Sequence, residues 1–104
     1  MDQSMNIGSE VHLAEGLTKH VRIGTIKLIR EVRQATKDIP YKFAFCIGRD
    51  KMVVEGNEVD IPAMERKYQD VFSSILVEGL TDEEYEQVDE DGIKELDKLL
   101  ERFL

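Results

Sequence analysis

The chain has 104 residues, 41% hydrophobic and 35% charged, with two prolines, one cysteine and a formal net charge of −8. That length holds one hydrophobic core, so one domain over 1–104 is expected. The single Cys46 excludes an intrachain disulfide and suits a reducing, cytoplasmic setting, no apolar run approaches the length of a membrane span, and the acidic, polar start is no secretory signal.

Residues 1–9 read as a loose N-terminal arm with room for a short extended piece. From Leu13 the apolar residues fall at Leu13, Leu17, Val21, Leu28, Val32 and Ala35. Steps of three and four residues are helical spacing, which predicts a long N-terminal helix from about Ser9 or Val11 to about Thr36. Gly16 and Gly24 are its weak points, each costing about 1 kcal/mol against alanine. Its other face is basic, with Lys19, Arg22, Lys27, Arg30, Arg33 and Lys37. Asp38 and Pro40 end it, because the residue before proline avoids the α region.

The run YKFAFCI (41–47) is apolar on both faces and predicts a strand covered on two sides. Gly48-Arg49-Asp50 turns the chain into a second strand, 51–55. Gly56-Asn57 offers a two-residue hairpin turn into a short third strand, 58–61. Together these predict a two- or three-stranded antiparallel meander.

Asp60 then caps a helix that Pro62 opens. Met64, Tyr68, Val71, Phe72, Ile75 and Leu76 give it one apolar face, and Gly79 ends it. Thr81 and Glu84 form a capping box for a short helix. Asp89 or Asp91 starts the last one, whose apolar face is Ile93, Leu96, Leu99, Leu100 and Phe103. The expected class is therefore α+β, with a long N-terminal helix, a small β-meander and two to three C-terminal helices.

The chemistry-bearing residues are sparse. Zinc needs three or four close Cys or His ligands, and the chain has only His12, His20 and Cys46, without paired spacing. An EF-hand alignment with Gly92 at the sixth position puts Gln87 first, Lys94 eighth and Lys98 twelfth, where Asp, an apolar residue and Glu are wanted. Cys46 lies in the most apolar run, which hides a thiol and raises its pKa. Neither a nucleophile elbow nor a glycine-rich phosphate loop is present. No catalytic residue, metal or cofactor is assigned, and a non-enzymatic protein is expected.

Charge is the strongest remaining signal. Residues 1–54 carry nine Lys/Arg and six Asp/Glu, a net +3, whereas residues 55–104 carry five and sixteen, a net −11. An acidic half repels phosphates, which disfavours nucleic acid and anionic membranes, and it attracts basic protein surfaces. The expectation is an interaction protein, of the inhibitor, immunity-type or phage-type accessory kind. Its partner-binding surface is Asp82, Glu83, Glu84, Glu86, Glu90 and Asp91, and its partner is a protein with a basic surface. Self-association into a homodimer is expected through strand 41–47 or the apolar chain end. The alternative is a binder of a nucleotide-like anion at a dimer cleft, using Arg49 and Lys51 with Arg22, Arg30 and Arg33.

Overall fold

A computed structural model describes residues 7–37, 39 and 42–104. Strand β1 (Ile7–Ala14) and strand β2 (Leu17–Arg22) pair antiparallel, with Glu10 opposite His20 and His12 opposite Thr18. Helix α1 (Ile26–Thr36) and the four-residue helix α2 (Phe43–Cys46) follow. A second hairpin, β3 (Met52–Val54) and β4 (Asn57–Val59), leads to α3 (Ile61–Ile75), α4 (Asp82–Gln87) and α5 (Glu90–Glu101). The fold is α+β, with five helices and two small antiparallel sheets among the described residues.

Strands come first, so the long N-terminal helix is corrected: only its C-terminal part, α1, is helical. Along β1 the buried residues are Val11 and Leu13, and along β2 they are Leu17, Lys19 and Val21. That is the alternation of a sheet with one face on the core. The four-residue step from Leu17 to Val21 is two strand repeats, that from Leu13 to Leu17 crosses the turn, and Lys19 in the inward series disguises the pattern. Gly16, at φ +77°, makes the turn between the strands, a conformation glycine adopts without steric cost. Residues 7–9 belong to β1 rather than to a loose arm; residues 1–6 lie outside the described residues, as do Asp38 and Pro40, the expected stop of the first helix.

The meander is corrected as well. Strand 41–47 is replaced over 43–46 by α2, and the two strands that follow pair only with each other. Phe43 and Cys46, three residues apart, both face inward, which one helical turn achieves and a strand would not. The hairpin turn is Glu55-Gly56, one residue earlier than expected, with φ of +52° and +83°, and Val54 opposes Asn57. The third strand shortens to β4, because Asp60 accepts the Ala63 N–H as the α3 cap.

The C-terminal half follows its sequence pattern. Pro62 lies in the first turn of α3, and Met64, Tyr68, Val71, Phe72 and Ile75 are buried. Helix α3 stops at Ile75, four residues before Gly79, because Leu76 leaves the helix to bridge Val21. The Val77 N–H then donates to the His20 carbonyl at 2.8 Å, so this segment extends the β1–β2 sheet. Thr81 and Glu84 form the capping box of α4, and Asp89 caps α5 through the Gly92 N–H.

The core lies where the β1–β2 hairpin, α3 and α5 converge. Phe43 is its centre, with its ring edge-on to Phe72 at 4.8 Å and tilted against Tyr68 and Tyr85 at 5.8 and 6.1 Å. Such pairs add about 0.5–1.5 kcal/mol beyond the area they bury. Gly92 sits against the backbone of Leu13, and the Leu13 carbonyl accepts the Asp89 N–H at 2.9 Å. This contact locks the first turn of α5 onto β1.

Candidate functional site

The acidic residues of 82–91 divide into two groups. Glu84 points inward. Both its carboxylate oxygens accept from the Lys19 Nζ at 2.8 Å, and Oε1 also accepts the Thr81 N–H at 3.0 Å. Lys19 is only 6% exposed, the one buried charged side chain among the described residues. The Lys19 ammonium, then the Thr81 amide, hold the Glu84 carboxyl below the usual carboxylate range against a small opposing effect of burial. Asp82 is exposed but is also engaged within the chain, accepting from Gln69 and Arg66 of α3.

The second group faces solvent. Glu83, Glu86, Glu90 and Asp91 are exposed on α4 and the first turn of α5. Among the described residues no cation pairs with Glu83, Glu86 or Asp91, and Glu90 meets only Lys94, at 3.9 Å along its own helix. Acidic side chains in first turns complement the positive end of the helix dipole, which accounts locally for Glu83, Glu90 and Asp91. It does not account for Glu86, which lies in the last turn of α4.

The five cations of the alternative site have separate neighbours. The Arg49 guanidinium lies over the Phe45 ring, 4.3 Å from its centroid, and Lys51 pairs with Glu58 across the β3–β4 hairpin. Arg33 donates to the Phe103 and Leu104 backbone oxygens, which ties α1 to the chain end. Arg22 donates through Nε to the Ser74 carbonyl at 3.1 Å, and Arg30 is exposed on α1. Of these five, only Arg22 lines the cleft at the β2–α1 junction.

That cleft, of about 550 Å³, lies between the β2–α1 junction and α3, lined by Arg22, Ile23, Thr25, Lys27, Leu28, Glu31 and Ser74. An adjoining cleft of about 450 Å³ shares Glu31 and Ser74 and continues between α1 and α3. Sequence reasoning placed Lys27 on a helix face and missed Thr25, the α1 N-cap, because it read helix through the junction. The signal available was a glycine followed by a capping threonine between two apolar runs.

Four further titratable groups, Cys46, Asp97, His20 and Glu78, are engaged within the fold. Burial, and then the nearby Glu65 and Asp97 carboxylates, push the buried Cys46 thiol up, so it is a poor nucleophile. Burial also raises Asp97, although its carboxylate caps the short α2 by accepting the Ala44 N–H. His20 bonds to Glu78 through both its ring and its backbone N–H. Partial burial pushes the Glu78 carboxyl up, but these His20 bonds outweigh it and hold the group low. Among the described residues no three His, Cys, Asp or Glu side chains gather as a metal site would require, and no helix is long and apolar enough to cross a membrane.

Of the two features behind the expected homodimer, Phe43, Cys46 and Phe103 are buried in the chain's own core, whereas Ile47 and Leu104 are exposed. Comparison with protein-family models, with curated proteins and with solved structures finds no match.

Proposed function

We propose that this chain is a small acidic, non-enzymatic interaction protein that binds and modulates a cytoplasmic protein with a basic surface, in the manner of an inhibitor or an immunity-type or phage-type accessory factor. The observation that carries the reading is the exposed set Glu83, Glu86, Glu90 and Asp91, displayed on α4 and α5 and met among the described residues only by Lys94, at Glu90. Glu84 and Asp82 have another part: they fasten α4 to β2 and α3, so the exposed carboxylates stand on a fixed support. A pre-organised charged surface loses little entropy on binding, and it accelerates encounter with an oppositely charged partner.

The test is affinity capture from the lysate of the source cell with the wild type and with Glu83→Gln, Glu86→Gln, Glu90→Gln and Asp91→Asn combined. All four positions are exposed, so the variant should keep the fold and melt cooperatively, at a lower Tm because first-turn charges worth about 0.3–1 kcal/mol each are lost. A stoichiometric basic protein retained by the wild type and lost by the variant supports the proposal. Equal retention by both overturns it.

A further inference from the structure

The segment from residue 19 to residue 37 carries six cations and one carboxylate, Glu31, in a chain of net charge −8. Lys19 is committed to Glu84 and Arg33 to the chain end. Arg22 and Lys27 converge on the cleft at the β2–α1 junction. The Arg22 Nε donates to the Ser74 carbonyl, which fixes the plane of the guanidinium and leaves its terminal nitrogens able to donate elsewhere. Among the described residues no carboxylate pairs with Lys27. The Thr25 oxygen accepts the Leu28 N–H, so its hydroxyl proton is free for an acceptor in the cleft. A guanidinium, an ammonium and a hydroxyl around one space are the donors that phosphate oxygens take.

Glu31 identifies the rest of the ligand. It lines the same cleft and faces no salt-bridge partner among the described residues. A carboxylate beside a phosphate is repulsive unless a donor lies between them, and ligand hydroxyls supply such donors. Ser74 donates its own hydroxyl to the Val71 carbonyl at 2.7 Å, which leaves its oxygen as a second acceptor. Ile23 and Leu28 give the cleft an apolar wall, and the cleft, of about 550 Å³, is open to solvent on one side.

We infer that the β2–α1 cleft binds a phosphate monoester of a hydroxylated compound, with Arg22, Lys27 and Thr25 holding the phosphate and Glu31 and Ser74 accepting from the hydroxyls. This goes beyond the acidic-surface reading and involves none of its residues. The test is titration of 15N-labelled protein with ribose 5-phosphate, with ribose and inorganic phosphate in separate arms. The expected result is saturable shifts confined to residues 22–31 and Ser74, with ribose 5-phosphate binding about tenfold or more tightly than either fragment. Arg22→Gln and Lys27→Gln should each weaken it about tenfold, and Lys98→Gln should not. Lys27 is exposed and bonds no other side chain among the described residues, so its variant keeps the test decisive if Arg22→Gln disturbs the Ser74 contact. Shifts scattered over the surface, affinities unmoved by Lys27→Gln, or equal binding of inorganic phosphate would overturn the assignment.

Discussion

Replacing Gly92 with alanine opposes two effects of different sign. Helix propensity alone favours alanine by about 1 kcal/mol, because Gly92 lies in the first turn of α5. The packing opposes it more strongly. A Cβ at this position would stand 2.1 Å from the Leu13 carbonyl oxygen and 2.7 Å from the carbonyl carbon. Both are backbone atoms of a paired strand, so α5 must retreat by roughly 1 Å, which the close packing of the interior resists. Such overpacking costs about 1–3 kcal/mol, and the Asp89–Leu13 hydrogen bond, worth about 0.5–1.5 kcal/mol, is lost with it. The net expectation is a loss of about 0.5–3.5 kcal/mol, centred near 2 kcal/mol. At about 4–8 °C per kcal/mol, a loss of 2 kcal/mol lowers Tm by roughly 8–16 °C. Urea unfolding followed by circular dichroism measures the free-energy loss directly. Gly24→Ala is the control, since a Cβ there meets Ile29 and Phe103 at an ordinary 3.6 Å and its stability should hardly move. A Gly92→Ala protein as stable as the wild type, or more so, would refute the contact between α5 and β1.

The Lys19–Glu84 pair gives a second contrast. Glu84→Ala strands the buried Lys19 ammonium and should destabilise by about 3 kcal/mol, whereas Lys19→Met fills similar volume without a charge and should be near neutral or stabilising; denaturant melts of both variants decide this. The acid limb of stability should report the same pair together with Glu78. Both carboxyls titrate below their unfolded-state value near 4.5, so their contribution is full above that pH and is lost as pH falls through the folded values. Melts between pH 7 and pH 3 should show the loss, with a shallower slope in Glu84→Gln. At the alkaline end, burial pushes the Tyr68 hydroxyl from 10.0 to about 12 and Tyr85 upward as well. Their contribution is full below pH 10 and lost as pH rises toward 12, so tyrosinate absorbance from both should appear only as the fold opens.

Where the determinants of structure are local, the sequence shows them. The buried face of α3, the Asp60 and Asp89 caps and the Thr81–Glu84 box each depend on residues within a turn or two. The first hairpin depends on distant partners. Lys19 is an inward residue only because Glu84 waits 65 positions away, and without that pairing β2 does not read as alternating. Helix α2 is four residues long, and its end is capped by Asp97 rather than by a neighbour. A short apolar run such as 41–47 suits strand or helix equally until its surroundings are known. The acidic surface shows the same division. Its existence was legible from charge, but which carboxylates face outward depended on Lys19, Gln69 and Arg66, none of them adjacent in sequence.

The most direct test of the acidic-surface account is calorimetric titration of the captured partner with wild-type protein and the four-site neutralised variant at 50 and 200 mM salt, between which the Debye length falls from roughly 14 to roughly 7 Å. The account predicts tight binding by the wild type, weakened by salt, and affinity reduced at least tenfold and nearly salt-independent in the variant. Equal affinities for the two proteins, with the same response to salt, would contradict it.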